Sequence, residues 1–169
     1  MSSKLRRQYC ASKYIEYLEA GTIIINVDES VISRTINCTR SWLPRGRHFF
    51  VASSNWLPMV NIIAGVSSNG GLFYTVNRGK TNSWTFLNYI VKLVAHLDII
   101  DPDWRKNTII MIDNASYHRS IFTKAKLEIL KVPIMYMGPY HFRLAPAELF
   151  FSFIKGKDLN PFNSRVVSK

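Results

Sequence analysis

Three carboxylates stand where apolar segments of this chain end or begin. Asp28 follows the run IIINV, Asp113 follows TIIMI, and Glu148 lies in PYHFRLAPAELF. A single acid in such a place is as often a turn former or helix cap as a functional group. Three acids in separate segments can instead meet at one edge of a sheet, and carboxylate oxygens are the ligands that Mg²⁺ and Mn²⁺ prefer. The pattern predicts a metal site for phosphodiester chemistry.

The net charge of the chain is strongly positive. It has 22 Lys and Arg against 11 Asp and Glu, a formal charge of +11. Such an excess favours a polyanionic partner, because neutralised phosphates release their condensed counterions. A basic, solvated surface is the alternative, and charge alone does not separate the two. The three carboxylates at the ends of apolar segments, in an otherwise basic chain, favour an enzyme acting on nucleic acid.

Length and composition exclude several other classes of protein. The 169 residues are enough for about one domain with a buried core. No apolar run reaches the ~20 residues that span a bilayer, and the basic N-terminus lacks the apolar segment of a secretory signal. Cys10 and Cys38 form no CxxC pair, and the chain has no P-loop, GxGxxG or GxSxG motif. We expect an intracellular protein without a membrane partner.

The first half of the chain has the pattern of a helix followed by antiparallel strands. Residues 4–20 carry apolar side chains at roughly helical spacing: Tyr9, Tyr14, Ile15 and Leu18. The strand-like segments that follow are Thr22–Val27, Arg34–Trp42, His48–Ser53, Asn61–Ser67 and Leu72–Asn77. Between the last two, Asn69-Gly70 predicts a hairpin, because both residues tolerate positive φ.

The second half changes to helical periodicity. Apolar residues from Trp84 recur at i, i+3 and i+4, which predicts an amphipathic helix over Ser83–Asp98. The helix could start at Thr81 or Ser83, and Asp101-Pro102 closes it. Further elements are expected in the order strand, helix, strand, helix, at Thr108–Ile112, Ser120–Leu130, Pro133–Met137 and Ala147–Lys155. This order predicts an α/β domain: a mixed five-stranded sheet with an antiparallel start and parallel additions, flanked by helices.

Four segments resemble the motifs of one enzyme superfamily. Val27–Ser30 reads VDES, Trp42–Gly46 reads WLPRG, and Asp113–His118 reads DNASYH. A third acidic motif is matched in part by Tyr140–Glu148, and 34 residues separate the second acid from Glu148. Over residues 21–155 the chain thus resembles the catalytic domain of the mariner-like (Tc/mariner) DDE transposases. In the third motif Ala145 replaces an Asn of the family pattern.

The resemblance implies a fold, an activity and a set of ligands. It implies an RNase H-like fold, and metal-dependent DNA cleavage and strand transfer in cut-and-paste transposition. Asp28, Asp113 and Glu148 would be catalytic and would hold two Mg²⁺ ions, with Mn²⁺ as a substitute. Asn114 and His118 would support that site. The expected partners are transposon-end and target DNA, and a second copy of the chain in a homodimer or higher multimer.

Two further groups of residues carry expectations of their own. Glu29 should point away from Asp28 on a strand, as a structural residue or a surface charge. Basic residues around an aromatic side chain suit DNA backbone contact and base stacking, with a solvated hairpin edge as the alternative. That predicted DNA-binding set is Arg34, Arg40, Trp42, Arg45 and Arg47. Mutual repulsion should also raise the pKa values of the three clustered carboxylates.

The domain plan has three parts and leaves alternatives open. We expect a helical lead-in at 1–20, the catalytic domain at 21–155 and a truncated tail at 156–169. DNA recognition is expected from a separate module, because few residues precede Asp28. The chain is then a fragment, a subunit, or a decayed or domesticated derivative that binds DNA without cutting. A ribonuclease or junction nuclease is a weaker alternative. A eukaryotic protein of this kind would be nuclear, and a bacterial one would lie in the cytoplasm or nucleoid.

Overall fold

A five-stranded mixed sheet forms the centre of the computed structural model, which describes residues 3–32, 45, 60–138 and 145–155. The strands are β1 (Ile23–Ile32), β2 (Val60–Ser67), β3 (Leu72–Arg78), β4 (Thr108–Ile112) and β5 (Ile134–Tyr136). The helices are α1 (Ser3–Glu19), α2 (Ser83–Ile100), α3 (Trp104–Asn107), α4 (Ile121–Ile129) and α5 (Pro146–Lys155). The predicted strands Arg34–Trp42 and His48–Ser53 lie outside the described residues.

The sheet confirms the predicted combination of an antiparallel start and parallel additions. Its order is β3-β2-β1-β4-β5. β1 pairs with β2 and β2 with β3 in antiparallel fashion, whereas β1–β4 and β4–β5 are parallel. Residues 68–71 connect β2 to β3, and Gly70 has a φ of 89° that only glycine adopts without strain. The Asn-Gly hairpin prediction is therefore confirmed.

β1 is longer than predicted, so Asp28 does not lie at a strand end. The strand runs four residues beyond Asp28 to Ile32, because the antiparallel ladder with β2 continues to the pair Ile32↔Val60. The parallel ladder with β4 stops earlier, at Asn26↔Met111. Asp28 therefore lies two residues past the end of the parallel pairing while its backbone stays bonded to β2.

The helix α2 covers one face of the sheet. Asn82 caps its N-terminus in a reciprocal capping box with Thr85. Its buried side chains pack on the odd-numbered residues of β1, Ile25 and Val27, and on α4. The predicted start at Ser83 is confirmed, but Trp84 is 72% exposed and does not belong to the buried face. The buried side chains are Phe86, Leu87, Tyr89, Ile90, Leu93 and Val94.

The opposite face of the sheet is covered by α1 and α5. The helix predicted at residues 4–20 is confirmed as α1, although Tyr9, Ile15 and Leu18 of its apolar residues are exposed. The helix packs through Cys10, Tyr14 and Tyr17 against Ile24 and Met111. The α5 residues Ala147 and Phe151 pack against Ile62 and Ala64 of β2. In the described part of the chain, no helix combines the length and apolar character needed to cross a membrane.

Candidate metal centre

The carboxylate of Asp28 lies on the α5 side of the sheet. It is on the same face as Asn26, and its Oδ1 accepts a hydrogen bond from the Glu29 amide at 2.8 Å. The pKa of Asp28 is raised to about 6, mainly by burial and in smaller part by the charges of Glu29, Asp113 and Glu148, although the hydrogen bond from the Glu29 amide lowers it. A bound cation would stabilise the ionised form of such a carboxyl group, so Asp28 is a favourable position for a metal ligand.

Asp113 begins the loop after β4 and has a different electrostatic environment. Its side chain is 51% exposed, and its Oδ1 accepts hydrogen bonds from His118 Nδ1 at 2.7 Å and from the Ala115 amide at 2.8 Å. Burial raises the pKa of Asp113, but the bonds to His118 and Ala115 outweigh burial and hold the pKa below its usual value. The expectation that repulsion raises the pKa of every clustered carboxylate was therefore wrong for Asp113.

The imidazole of His118 lies beneath Asp113 and is fully buried. Its Nε2 lies 3.0 Å from Oε1 of Glu29, and the ring packs 4.1 Å from the ring of Phe86, centroid to centroid. Burial lowers the pKa of His118, but hydrogen bonds to Asp113 and Glu29 raise it to about 9. The ring is thus an imidazolium that ties one carboxylate of the site to a second carboxylate inside the core.

Glu29 is a member of this site that the sequence pattern did not predict. It faces away from Asp28, as expected, but its side chain is only 10% exposed, so the surface-charge reading was wrong. Its Oε2 accepts a hydrogen bond from the Tyr117 hydroxyl at 3.0 Å, and its Oε1 faces His118. Nothing in the local sequence indicated these partners, because they come from a loop 88 residues away.

Glu148 occupies the first turn of α5, as predicted. Its amide donates to the Ala145 carbonyl at 3.0 Å, and its carboxylate is exposed. The preceding amide, of Ala147, donates to the side chain of Asn26 on β1 at 3.0 Å. This bond fixes the start of α5 over the strand that carries Asp28. The favourable helix dipole also suits an acid at this position.

Asn114 and Arg119 border the site beside Asp113. The Asn114 side chain donates to the Met137 carbonyl and accepts from Arg119 Nη1 at 3.3 Å. Asn114 thereby links the loop after β4 to the residue that follows β5. Its predicted role in supporting the metal site stays a prediction. Of the predicted DNA-binding residues, Arg45 is exposed at a turn, and the other four lie outside the described residues.

The donor chemistry of this end of the sheet suits a hard divalent cation. Asn26 and Met111 are paired on the neighbouring strands β1 and β4, and Asp28 and Asp113 each follow their paired residue by two positions. Among the described residues, Oδ2 of Asp113 has no hydrogen-bond partner, so this atom is available as a ligand. In the same residues, no three His, Cys, Asp or Glu side chains are close enough to hold a metal ion as they stand. Asp113 and Glu148 are near enough to Asp28 for their charges to raise its pKa, but the three acids do not form a closed cluster.

Comparison with known proteins agrees with this architecture. Residues 24–165 match the DDE superfamily endonuclease family. The Mos1 mariner paired-end complex with Mn is similar in structure, with a TM-score of 0.66, 21% identity, and coverage of 88% of this chain and 46% of that chain. The catalytic domain of Mos1 mariner transposase gives a TM-score of 0.62 at 21% identity, covering 89% of this chain and 69% of that chain. No curated protein sequence matches significantly.

The coverage and sequence identity of these matches establish the family and the fold of this chain. This chain spans less than half of the Mos1 chain in the paired-end complex, and the identity to the solved structures establishes the fold alone. The family match covers most of the chain and includes Asp28, Asp113 and Glu148. The chain has the RNase H-like fold of the Mos1 catalytic domain and belongs to the DDE superfamily endonuclease family.

Proposed function

We propose that this chain is the catalytic domain of a transposase, which cleaves DNA phosphodiesters and transfers the freed strand end to target DNA. The observation that supports the proposal is that Asp28 lies near enough to Asp113 and Glu148 to be affected by their charges, in a chain of the DDE superfamily endonuclease family. The charges of the latter two raise the pKa of Asp28, as expected for acids that share one site.

The three carboxylates would hold two Mg²⁺ ions, or Mn²⁺ as a substitute. When bound, such a pair activates an attacking hydroxyl and stabilises the leaving oxygen. Asp113 would contribute its Oδ2, while His118 and the Ala115 amide hold Oδ1 in place. The exposed side chain of Glu148 would complete the set by rotation about its own χ angles, from a helix start that Asn26 fixes. Mos1 structures described with Mg and with Mn support this choice of ions.

DNA is the proposed substrate and partner. The formal charge of +11 supports binding to phosphates, and related Mos1 assemblies are described as paired-end and strand transfer complexes. We therefore propose that the chain binds transposon ends and target DNA, and acts as a homodimer or larger multimer.

Nicking and strand transfer by the purified protein test the proposal directly. The assay uses Mn²⁺ and pre-cut DNA ends, with Asp28→Asn, Asp113→Asn and Glu148→Gln beside the wild type. Asp103→Asn is the matched control, because Asp103 is an exposed acid that pairs only with Lys106 among the described residues. We expect activity in the wild type and in the control, and at least a ~100-fold loss in each of the other three.

A DNA-binding derivative without catalysis is the second candidate. The observation in its favour is that the described acids do not form a closed three-residue cluster, with Glu148 exposed. This candidate predicts DNA binding that is independent of Mn²⁺ and no cleavage, even with a DNA-recognition module fused to the chain. Mn²⁺-dependent nicking that Asp113→Asn abolishes would reject it.

A further inference from the structure

Asn26 is a polar side chain in a place where a strand usually carries an apolar one. It lies in the middle of β1 with 1% exposure, among apolar neighbours of the α5 side of the sheet. A buried amide without partners costs several kcal/mol, so its retention implies that its hydrogen bonds matter. Its position, two residues before Asp28 on the same face of β1, connects it to the metal site.

The side-chain amide of Asn26 contacts three other segments: α5, β4 and the residue after β5. Its Oδ1 accepts a hydrogen bond from the Ala147 amide at 3.0 Å. Its Nδ2 lies 3.5 Å from the Met111 carbonyl and 3.7 Å from Met137 Sδ, so it donates long hydrogen bonds on that side. Only this orientation of the amide works, because the Ala147 N–H requires an acceptor and the Met111 carbonyl requires a donor.

Among the described residues, α5 has no N-terminal cap of its own, so its start depends on this bond. A helix normally begins with a side chain that accepts a hydrogen bond from one of the first free amides. Ala145, the residue before α5, has no side-chain acceptor, and Pro146 at the first helical position has no N–H. Ala147 therefore carries the first free amide of the helix. Asn26 accepts it from β1 and replaces the missing cap.

Three of the segments that Asn26 joins, β1, β4 and α5, lead to the three acids. Asp28 follows Asn26 by two residues on β1, and Asp113 follows Met111 by two residues after β4. Glu148 directly follows Ala147. We infer that Asn26 is a positioning residue, which sets Glu148 over the two aspartates by capping α5 from the neighbouring strand. This inference rests on the proposed function, because it gives the position of Glu148 a role in metal binding.

The test compares two buried asparagines in the purified 169-residue protein. Asn26→Leu removes the cap while keeping the side-chain volume similar. Asn61→Leu is the matched control, because Asn61 is also buried in a strand and donates to the Gly79 carbonyl, on the α2 side of the sheet. Mn²⁺ affinity is measured by calorimetry without DNA. Amide exchange at Ala147 and Glu148 is followed in the metal-free protein.

We expect Asn26→Leu to weaken Mn²⁺ binding at least ~10-fold, the range seen when a residue that orients a ligand is lost. Exchange at Ala147 and Glu148 should accelerate. Asn61→Leu should lower the melting temperature while Mn²⁺ affinity stays within twofold of the wild type. If the role of Asn26 were purely structural, Mn²⁺ affinity would fall in the same proportion to the lost stability in Asn26→Leu as in Asn61→Leu.

A second substitution can return the cap to the helix itself. Ala145→Ser provides a hydroxyl at the cap position, where Ser is among the preferred residues. In the Asn26→Leu background it should recover Mn²⁺ affinity and slow the exchange at Ala147. Ala145→Gly is the control, since it changes the same position without adding an acceptor and should recover neither.

Each outcome has a defined meaning. Wild-type Mn²⁺ affinity in Asn26→Leu, or no recovery with Ala145→Ser, overturns the positioning role and leaves the proposed function intact. Absence of both Mn²⁺ binding and nicking in the wild type rejects the proposed function and the inference with it. If Asn26→Leu does not fold, Asn26→Thr replaces it, because Thr suits a strand but has a shorter side chain. Failure of both to fold while Asn61→Leu folds makes Asn26 a folding residue and overturns the inference.

Discussion

His118 Nδ1 lies 2.7 Å from Asp113 Oδ1, and this contact joins a buried imidazolium to an acid of the proposed metal site. The opposite ring nitrogen faces Glu29 at 3.0 Å. Both nitrogens meet carboxylate oxygens, so both carry protons, in agreement with a pKa of about 9. Asp113 is therefore ionised and held in one orientation before a metal binds, whereas Asp28 is ionised only above about pH 6.

Loss of the imidazolium should destabilise the fold and disturb Asp113. His118→Gln leaves Glu29 buried without its cation, and breaking a buried ion pair costs about 3–5 kcal/mol. The pKa of Asp113 should rise towards its ordinary value, because one of the bonds that lower it is removed. Urea unfolding and Mn²⁺ calorimetry measure the two effects. His96→Gln is the control, since His96 is exposed and stacks on Phe73 at 5.2 Å; its melting curve should match the wild type.

The stability from His118 should depend on pH in a defined direction. Its pKa is raised from 6.5 in the unfolded chain to about 9 in the folded protein. The contribution, roughly 3 kcal/mol, is therefore fully present below pH 6.5 and is lost as pH rises through 9. Unfolding free energies of the wild type and His118→Gln should converge between pH 6.5 and 9.5. A constant difference across this range would contradict the assignment.

Neutralising Asp28 should stabilise the metal-free protein. The folded pKa of about 6 lies above the ordinary 3.8, so ionisation of Asp28 opposes folding as pH rises between these values. Asp28→Asn removes this cost and should raise stability at pH 7.5 by at most roughly 3 kcal/mol. The gain should shrink at pH 5 and disappear near pH 3.5. Thermal unfolding at the three pH values checks this, with Asp103→Asn expected to change little.

Metal binding should raise the melting temperature of the wild type. A ligand at 100 times its Kd adds about 2.7 kcal/mol of stability if it binds only the folded state. Mn²⁺ should therefore stabilise the wild type at pH 7.5 and lose its effect below pH 6, where Asp28 is protonated. EDTA should reverse the shift, and Asp113→Asn should show none. Equal melting temperatures of the wild type with and without saturating Mn²⁺ would count against the proposed site.

One core glycine should be essential for the packing of α2 on the sheet. A Cβ at Gly65 would lie 2.6 Å from the Tyr89 hydroxyl, which donates to the Phe73 carbonyl at 3.1 Å. Gly65→Ala should thus cost about 1–3 kcal/mol in urea unfolding. Gly71→Ala is the control, because its Cβ would meet only ordinary contacts at 3.4 Å. Tyr89→Phe in the Gly65→Ala background should recover part of the loss, and an unchanged loss would refute the clash.

The elements of the second half of the chain were predictable because their periodicities are strong. Thr108–Ile112 is fully buried and apolar, and it forms β4 with the predicted bounds. Apolar spacing similarly predicted α2 and α5, and Asn-Gly predicted the β2–β3 hairpin. The end of β1 was not predictable, because Asp28 and the polar residues after it do not read as a strand. Its length is set by the ladder with β2, a partner distant in the chain.

The sequence by itself determined the acids, their order and the α/β plan, because hydrophobic periodicity and residue chemistry are local properties. Only the tertiary structure decided the environment of each acid. Burial raises the pKa of Asp28, whereas His118, which lies in the same loop as Asp113 and is buried against Phe86 and Glu29, helps to lower that of Asp113. The capping of α5 by Asn26 likewise spans 121 residues of chain. Burial and long-range hydrogen bonds depend on which segments pack together, and no local pattern records that.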